Sequence, residues 1–177
     1  RQWLQSYGSS GDDSPSSLQL DPQGKLWLLG YFQNSIQLGG SELRSSGNED
    51  IFLVRFNSNG AHEWSSSWGG SGTDTGNYLS INNNSEIFIA GSTDSAELRL
   101  GATTLRRQGA FDGFIARLSM SGVFSWAKQY SAGAGKTAEV LVVGHESNGN
   151  PIIGGYLETN TPQLRASRER GPKGKFA

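Results

Sequence analysis

Apolar residues recur along this chain in short runs of strand length. "KLWLLGYF", "DIFLVRF", "EIFIAGST", "DGFIARL" and "EVLVVG" are rich in β-branched and aromatic residues, and breaks rich in Gly, Ser and Asn separate them. Runs of this length between turn-forming clusters predict β-strands. No apolar stripe of 3.6-residue period stands out, so little helix is expected. Within the runs, Phe52, Val54 and Phe56 share one face, as do Phe114, Ala116 and Leu118, while Leu53 and Ile115 point the other way. Both faces of these strands are therefore apolar, as in sheets covered on both sides.

The pattern repeats. Trp3, Trp64 and Trp126 are 61 and 62 residues apart, and each is followed four residues later by Tyr7, Trp68 or Tyr130. "WLQSYGSSGDDSPSSLQLDPQGKLWLLGYF" matches "WSSSWGGSGTDTGNYLSINNNSEIFIAGST" and "WAKQYSAGAGKTAEVLVVGHESNGNPIIGGYL". Each unit reads as four strands. The first is "SLQLD", "YLSIN" or "EVLVVG", and the second "KLWLLGYF", "EIFIAGST" or "PIIGGYL". A loop of about fifteen residues follows in the first two copies, before "DIFLVRF" or "DGFIARL" and then "AHEWSSSW" or "VFSWAKQY". Gly24, Asn84-Ser85 and Gly149-Asn150 fall between strands one and two, and Gly60 and Gly122 between strands three and four, where hairpins use a positive φ.

Four antiparallel strands per repeat make the unit of a β-propeller blade. The expected fold is all-β, one domain over 1–177, with about three blades: repeat 1 at 4–64, repeat 2 at 65–126 and a partial repeat 3 at 127–177. The first residues, "RQWLQSYG" (1–8), read as a closing fourth strand, and the last, "GKFA", as a third strand. Three blades do not readily close a ring, since propellers hold 4–8. A homodimer of six blades, or continuation in a longer propeller, is therefore expected.

The run "GKLWLLGYF…LGG…DIFLVRFNSNG…W" resembles the bacterial β-propeller repeats known as SBBP repeats, over nearly the whole chain. The positions that carry the resemblance are Gly30 and Gly91, Asp50 and Asp112, Phe52 and Phe114, Gly60 and Gly122, and Trp64 and Trp126. The third copy departs after Leu164, where "RASRERGPKGKFA" has no Asp at the motif position. The resemblance implies a secreted or cell-surface location and brings no catalytic residue set.

Composition narrows the classes further. The 15 basic and 16 acidic residues nearly cancel, so no general field attracts nucleic acid or an anionic membrane. There are no cysteines, hence no disulfides or thiolate metal sites, and no apolar run approaches a membrane span. The first residues carry no signal-peptide pattern, which fits a cytosolic chain, a mature one or a fragment.

"SAGAGKT" (131–137) looks like a phosphate-binding loop, but the Walker pattern needs a glycine where Tyr130 stands and a helix where "EVLVVG" follows. It is the third copy of "SSGDDSP" and "GSGTDTG", a turn between strands. Asp50 and Asp112 read as turn acceptors for backbone N–H groups, because a unique site would need a unique residue. Arg55 and Arg117, five residues on, are placed to pair with them or to snorkel. Asp12, Asp13 and Asp74 make oxygen-rich turns, yet EF-hand spacing is absent and Lys136 stands in the third copy. The tryptophans read as packing between blades; Trp27 occurs in one repeat only. Trp68, Tyr7, Tyr130, Arg106 and Arg107 remain as ligand-contact candidates. His62 and His145 make no metal or triad pattern and read as solvent-facing. The basic tail (Arg165, Arg168, Arg170, Lys173, Lys175) reads as a solvated loop, and Asn83 in an Asn-x-Ser triplet as a turn.

The function expected from these readings is a non-catalytic extracellular scaffold or recognition module, without cofactor or metal, binding a protein or glycan partner at the cell surface. Two alternatives stand beside it: a carbohydrate-active or other hydrolytic propeller with acidic residues at a central channel, and a structural spacer of a longer surface protein.

Overall fold

The computed structural model describes residues 4–159 and 163–168. The β-branched and aromatic runs pair with their sequence neighbours into antiparallel sheets, and no helix occurs among the described residues. Fifteen strands follow in order: β1 (Asp13–Leu20), β2 (Leu26–Phe32), β3 (Ser35–Ile36), β4 (Leu43–Arg44), β5 (Asp50–Phe56), β6 (His62–Trp68), β7 (Asp74–Ile81), β8 (Glu86–Thr93), β9 (Glu97–Leu100), β10 (Thr103–Arg106), β11 (Asp112–Ser119), β12 (Phe124–Tyr130), β13 (Ala138–His145), β14 (Pro151–Leu157) and β15 (Gln163–Arg168). The first sheet runs β1-β2-β5-β6, the second β7-β8-β11-β12, and the third β13-β14-β15.

Hairpin turns of one kind join these strands. In each, a polar residue closes a short loop onto a position of positive φ: Gly24 (73°), Gly60 (81°), Ser85 (59°), Gly122 (81°) and Gly149 (85°). Asp21, Asn57 and Asn82 accept from the backbone N–H groups two and four residues on, within 2.9–3.0 Å. These side chains replace backbone acceptors, which is why Asp and Asn lead the turns. The first strand of every sheet also carries a bulge at the same register, between Pro15 and Ser17, Gly76 and Tyr78, and Val140 and Val142.

The stretch between the second and third strands is not the plain loop that its polar sequence predicts. It folds back as a two-stranded hairpin, β3–β4 in the first sheet and β9–β10 in the second. Leu98, Leu100 and Leu105 of the second hairpin are buried, and that burial stabilises an excursion too short to stand alone. Among the described residues the third sheet shows no such hairpin, and β15 is the next strand after β14 and pairs with it. The expected third strand "GKFA" lies outside the described residues. Leu4–Gly8, expected as part of a closing strand, form no strand within this chain.

The sheets stack face to face in chain order. Trp27, Leu29, Ile51 and Leu53 of the first meet Leu79, Ile87, Ile89, Phe114 and Ala116 of the second. On the opposite face, Phe88, Ala90, Ile115 and Trp126 meet Val140, Val143 and Ile153 of the third. The remaining face of the first sheet gathers Phe32, Phe52, Val54 and Phe56 with Ile36 and Leu38 of its hairpin. Single parallel bridges, Glu49 to Thr73 and Phe111 to Thr137, tie each sheet to the next at one end.

Two recurring glycines have a steric reason. A Cβ on Gly30 would lie 2.1 Å from the Ser14 carbonyl oxygen and 2.7 Å from the Phe52 ring; on Gly91, 2.1 Å from the Thr75 oxygen and 2.5 Å from the Phe114 ring. Each phenylalanine covers the bare backbone of the strand beside it, so the two residues recur together.

Candidate functional site

The recurring aspartates lie where the sheets are bridged. Asp112 is buried and accepts from the N–H groups of Gln108 (2.6 Å) and Gly109 (3.0 Å) and from Gln129 Nε2 (2.7 Å). Asp50, equally buried, accepts from Ser46 N at 3.0 Å, and its Oδ1 has no hydrogen-bond partner. Asp74 accepts from Thr93 Oγ1, from Ser95 Oγ at 2.7 Å and from Gly70 N at 2.7 Å. Burial pushes both the Asp50 and Asp74 carboxyls above the ordinary carboxylate range; the charge of Asp74 adds to this at Asp50, and that of Asp94 at Asp74. These acids hold the loops entering the strands.

Arg55 and Arg117 do not pair with these aspartates. Arg55 Nε lies 2.9 Å from Glu63, and Arg117 Nη1 lies 2.8 Å from Glu86. Five residues along a strand carry a side chain well over 10 Å from the starting point, beyond the reach of a direct pair. Arg55 also lies over the Trp27 ring, at 5.2 Å, and donates to the Met120 carbonyl of the second sheet.

Trp27 is fully buried, and its indole N–H donates to Asp21 Oδ2 at 3.0 Å. Trp126 is buried against Phe88, while Trp64 is half-buried between Trp27 and Trp68. Trp3 lies outside the described residues. Of the ligand-contact candidates, Trp68 packs edge-on to Phe124 at 5.0 Å, and Tyr7 stacks on Phe56 at 5.4 Å. Arg106 and Arg107 are exposed on and beside β10, bonded to Glu97 and to the Asp94 carbonyl. Neither histidine is solvent-facing as expected. Each is half-buried and bonded to a serine: His62 to Ser65, and His145 to Ser80 of the second sheet, both at 3.0 Å. Ser65 lies three residues on in the same strand, whereas Ser80 comes from the neighbouring sheet, a partner that local sequence does not reveal. Gly135, Lys136 and Thr137 lie in the turn between β12 and β13, with a strand where a phosphate loop would need a helix.

Tyr130 borders a cavity. It lies between the second and third sheets, measures about 210 Å³, and is lined almost wholly by apolar atoms of Tyr130, Ala138, Val140, Ile153, Gly155 and Tyr156. Gly155 stands where Gly30 and Gly91 stand, and the residue paired with it in register is Arg165, where the other two sheets have a phenylalanine. A polar groove of similar size, lined by Asn82, Asn84, His145 and Glu146, opens at the turn end of the same pair of sheets.

No protein-family model matches the chain, and no curated protein matches it.

Proposed function

We propose that this chain is a non-catalytic recognition module of SBBP-type β-propeller repeats, secreted or displayed at a cell surface, and that the cavity beside Tyr130 receives an apolar side chain of a protein partner. The blade reading is supported by three successive antiparallel sheets stacked in chain order, with the same bulge and the same turn in each. The cavity carries the binding reading: it is concave and apolar, and Tyr130 and Tyr156 border it. A dry cavity of about 150 Å³ suffices to hold a benzene ring.

The hydrolytic reading draws on Asp50 and Asp74, whose raised pKa values resemble those of catalytic carboxyls. Their placement favours a structural role. Asp74 is fully buried, and a Cβ on Gly69 would fall 2.2 Å from the Asp50 carboxyl, leaving a substrate no room beside it.

Selection from a displayed peptide library tests the proposal. Enriched peptides should carry an aromatic or large aliphatic residue. They should bind at least ten-fold more weakly to Ala138→Leu, which fills the cavity, with the urea midpoint retained as the control for folding. Peptides indifferent to that change would remove the cavity from the proposal. Glycoside or ester hydrolysis lost on Asp74→Asn in a folded variant would replace recognition with catalysis.

A further inference from the structure

The hairpin turn that opens the third sheet departs from the other two. Leu20, Ile81 and His145 end their strands at the same register position, each opposite the first residue of the next strand. Asp21, Asn82 and Glu146 follow, and each donates its N–H to the carbonyl four residues on. In the first two sheets the side chain at this place turns back onto the N–H groups of its own loop. In the third, Asn148 Oδ1 accepts from Asn150 N at 2.9 Å instead. The Glu146 carboxylate reaches Arg168 Nε at 3.1 Å and Asn148 Nδ2 at 3.3 Å. His145 stands where the other sheets hold an aliphatic residue. Its Nδ1 bonds to Ser80 Oγ at 3.0 Å, and its Nε2 has no partner among the described residues.

His145 and Glu146 line the polar groove of about 210 Å³ together with Asn82 and Asn84 of the facing turn. Gly149 lines it too and keeps it open: a Cβ there would lie 3.3 Å from Asn84 Nδ2 and 3.4 Å from Asn82 Nδ2. Asn82 is 2% exposed; its Nδ2 gives one hydrogen to Glu86 Oε2 at 2.7 Å and keeps a second. The Asn84 amide has no partner among the described residues. The carboxylates beside the groove are each matched by an arginine, Glu86 by Arg117 at 2.8 Å and Glu146 by Arg168. An ion therefore finds no unmatched charge here, and among the described residues no three metal-ligating side chains come together. An apolar side chain would meet polar walls. A hydroxyl both donates and accepts, so a ring that carries several can satisfy amide, imidazole and carboxylate at once. The volume suits one such ring, since about 150 Å³ holds benzene. We propose that this groove binds a neutral monosaccharide unit, held by Asn84, His145 and Glu146. His145 and Glu146 have no equal in the other copies, as a unique site requires. The site is separate from the cavity beside Tyr130 and does not depend on it.

Heteronuclear NMR on the isotope-labelled full chain tests it. Glucose, galactose, mannose and N-acetylglucosamine are each titrated to about 10 mM, roughly ten-fold above a millimolar Kd. At least one should shift the side-chain amide signals of Asn82 and Asn84 and the backbone signals of His145 and Glu146, in a saturable way. Asn84→Ala, at an exposed position, should weaken that binding about five-fold, the loss of one hydrogen bond. Glu146→Asp restores the residue of the first turn and draws the carboxylate back onto the loop. It should weaken binding similarly, with the urea midpoint retained. Ala138→Leu, which fills the cavity beside Tyr130, should leave sugar binding unchanged, so the two sites stand or fall apart. No saturable shift with any of the four sugars, shifts that Asn84→Ala leaves untouched, or shifts at the groove with calcium chloride in place of sugar would each overturn the proposal.

Discussion

Gln129 Nε2 donates to the buried carboxylate of Asp112 across 2.7 Å, and the residue in register with Gln129 in the first sheet is Ser67, too short to reach Asp50. The two aspartates occupy equivalent places, yet Asp50 keeps an oxygen without a partner. A buried polar atom left unpaired costs about 1–3 kcal/mol. Ser67→Gln should therefore raise the unfolding free energy by about 1 kcal/mol, and Gln129→Ser should lower it by a similar amount. Urea unfolding measures both, and a neutral Ser67→Gln would show that the Asp50 loop already satisfies the carboxyl.

The same acids set a pH dependence. Burial raises the folded-state pKa values of Asp50 and Asp74 above their unfolded values, so between the two values the folded chain binds more protons. Stability should fall as pH rises from about 4 through the window above it. It should be greatest where both carboxyls are protonated. Glu63, held low by Lys25 and then Arg55, acts in the opposite sense below pH 4.5. Asp74→Asn should flatten the loss between pH 4 and pH 7, as read from urea midpoints across that range. An unchanged slope would remove Asp74 from the explanation.

Turn geometry separates backbone strain from crowding. A Cβ on Gly24 would meet nothing within 4 Å, whereas a Cβ on Gly122 would fall 2.3 Å from Trp64 Cζ2. Gly24→Ala should cost about 1–2 kcal/mol from the left-handed backbone alone. Gly122→Ala should cost measurably more, because Trp64 must move as well. Ser85, at φ 59°, stands where the other turns hold glycine. Ser85→Gly should gain about 0.5–1 kcal/mol. Thermal unfolding of the three variants ranks them, and equal costs for the two alanines would deny the Trp64 contact.

Trp126 is buried between the second and third sheets, while its repeat counterpart Trp64 is only half-buried. Trp126→Ala should cost about 3–5 kcal/mol. Trp64→Ala should cost less, because solvent already reaches part of that ring. Paired urea titrations test this order, and a Trp64 variant the less stable of the two would reverse it.

Strand positions, turns and the three-fold recurrence were legible in the chain because their causes are local. Alternation places Phe52, Val54 and Phe56 on one face, and Asn57 to Gly60 closes a hairpin whatever lies nearby. The excursions β3–β4 and β9–β10 were not legible as hairpins. Their strands are short, and burial of Ile36, Leu98, Leu100 and Leu105 in the clusters beside them stabilises them. Nor did the residues announce that Arg55 would choose Glu63, that Ser67 would leave Asp50 short of a donor, or that Arg165 would pair in register with Gly155. Each depends on register between strands, which pairing sets across the chain. Leu18 and Leu79 make the division plain. Leu18 lies in β1 and Leu79 in β7, each behind the same bulge, and the sequence by itself determined that they hold equivalent places in equivalent strands. Only the tertiary structure decided that one is bare and the other sealed, because burial belongs to the neighbouring sheet and not to the strand.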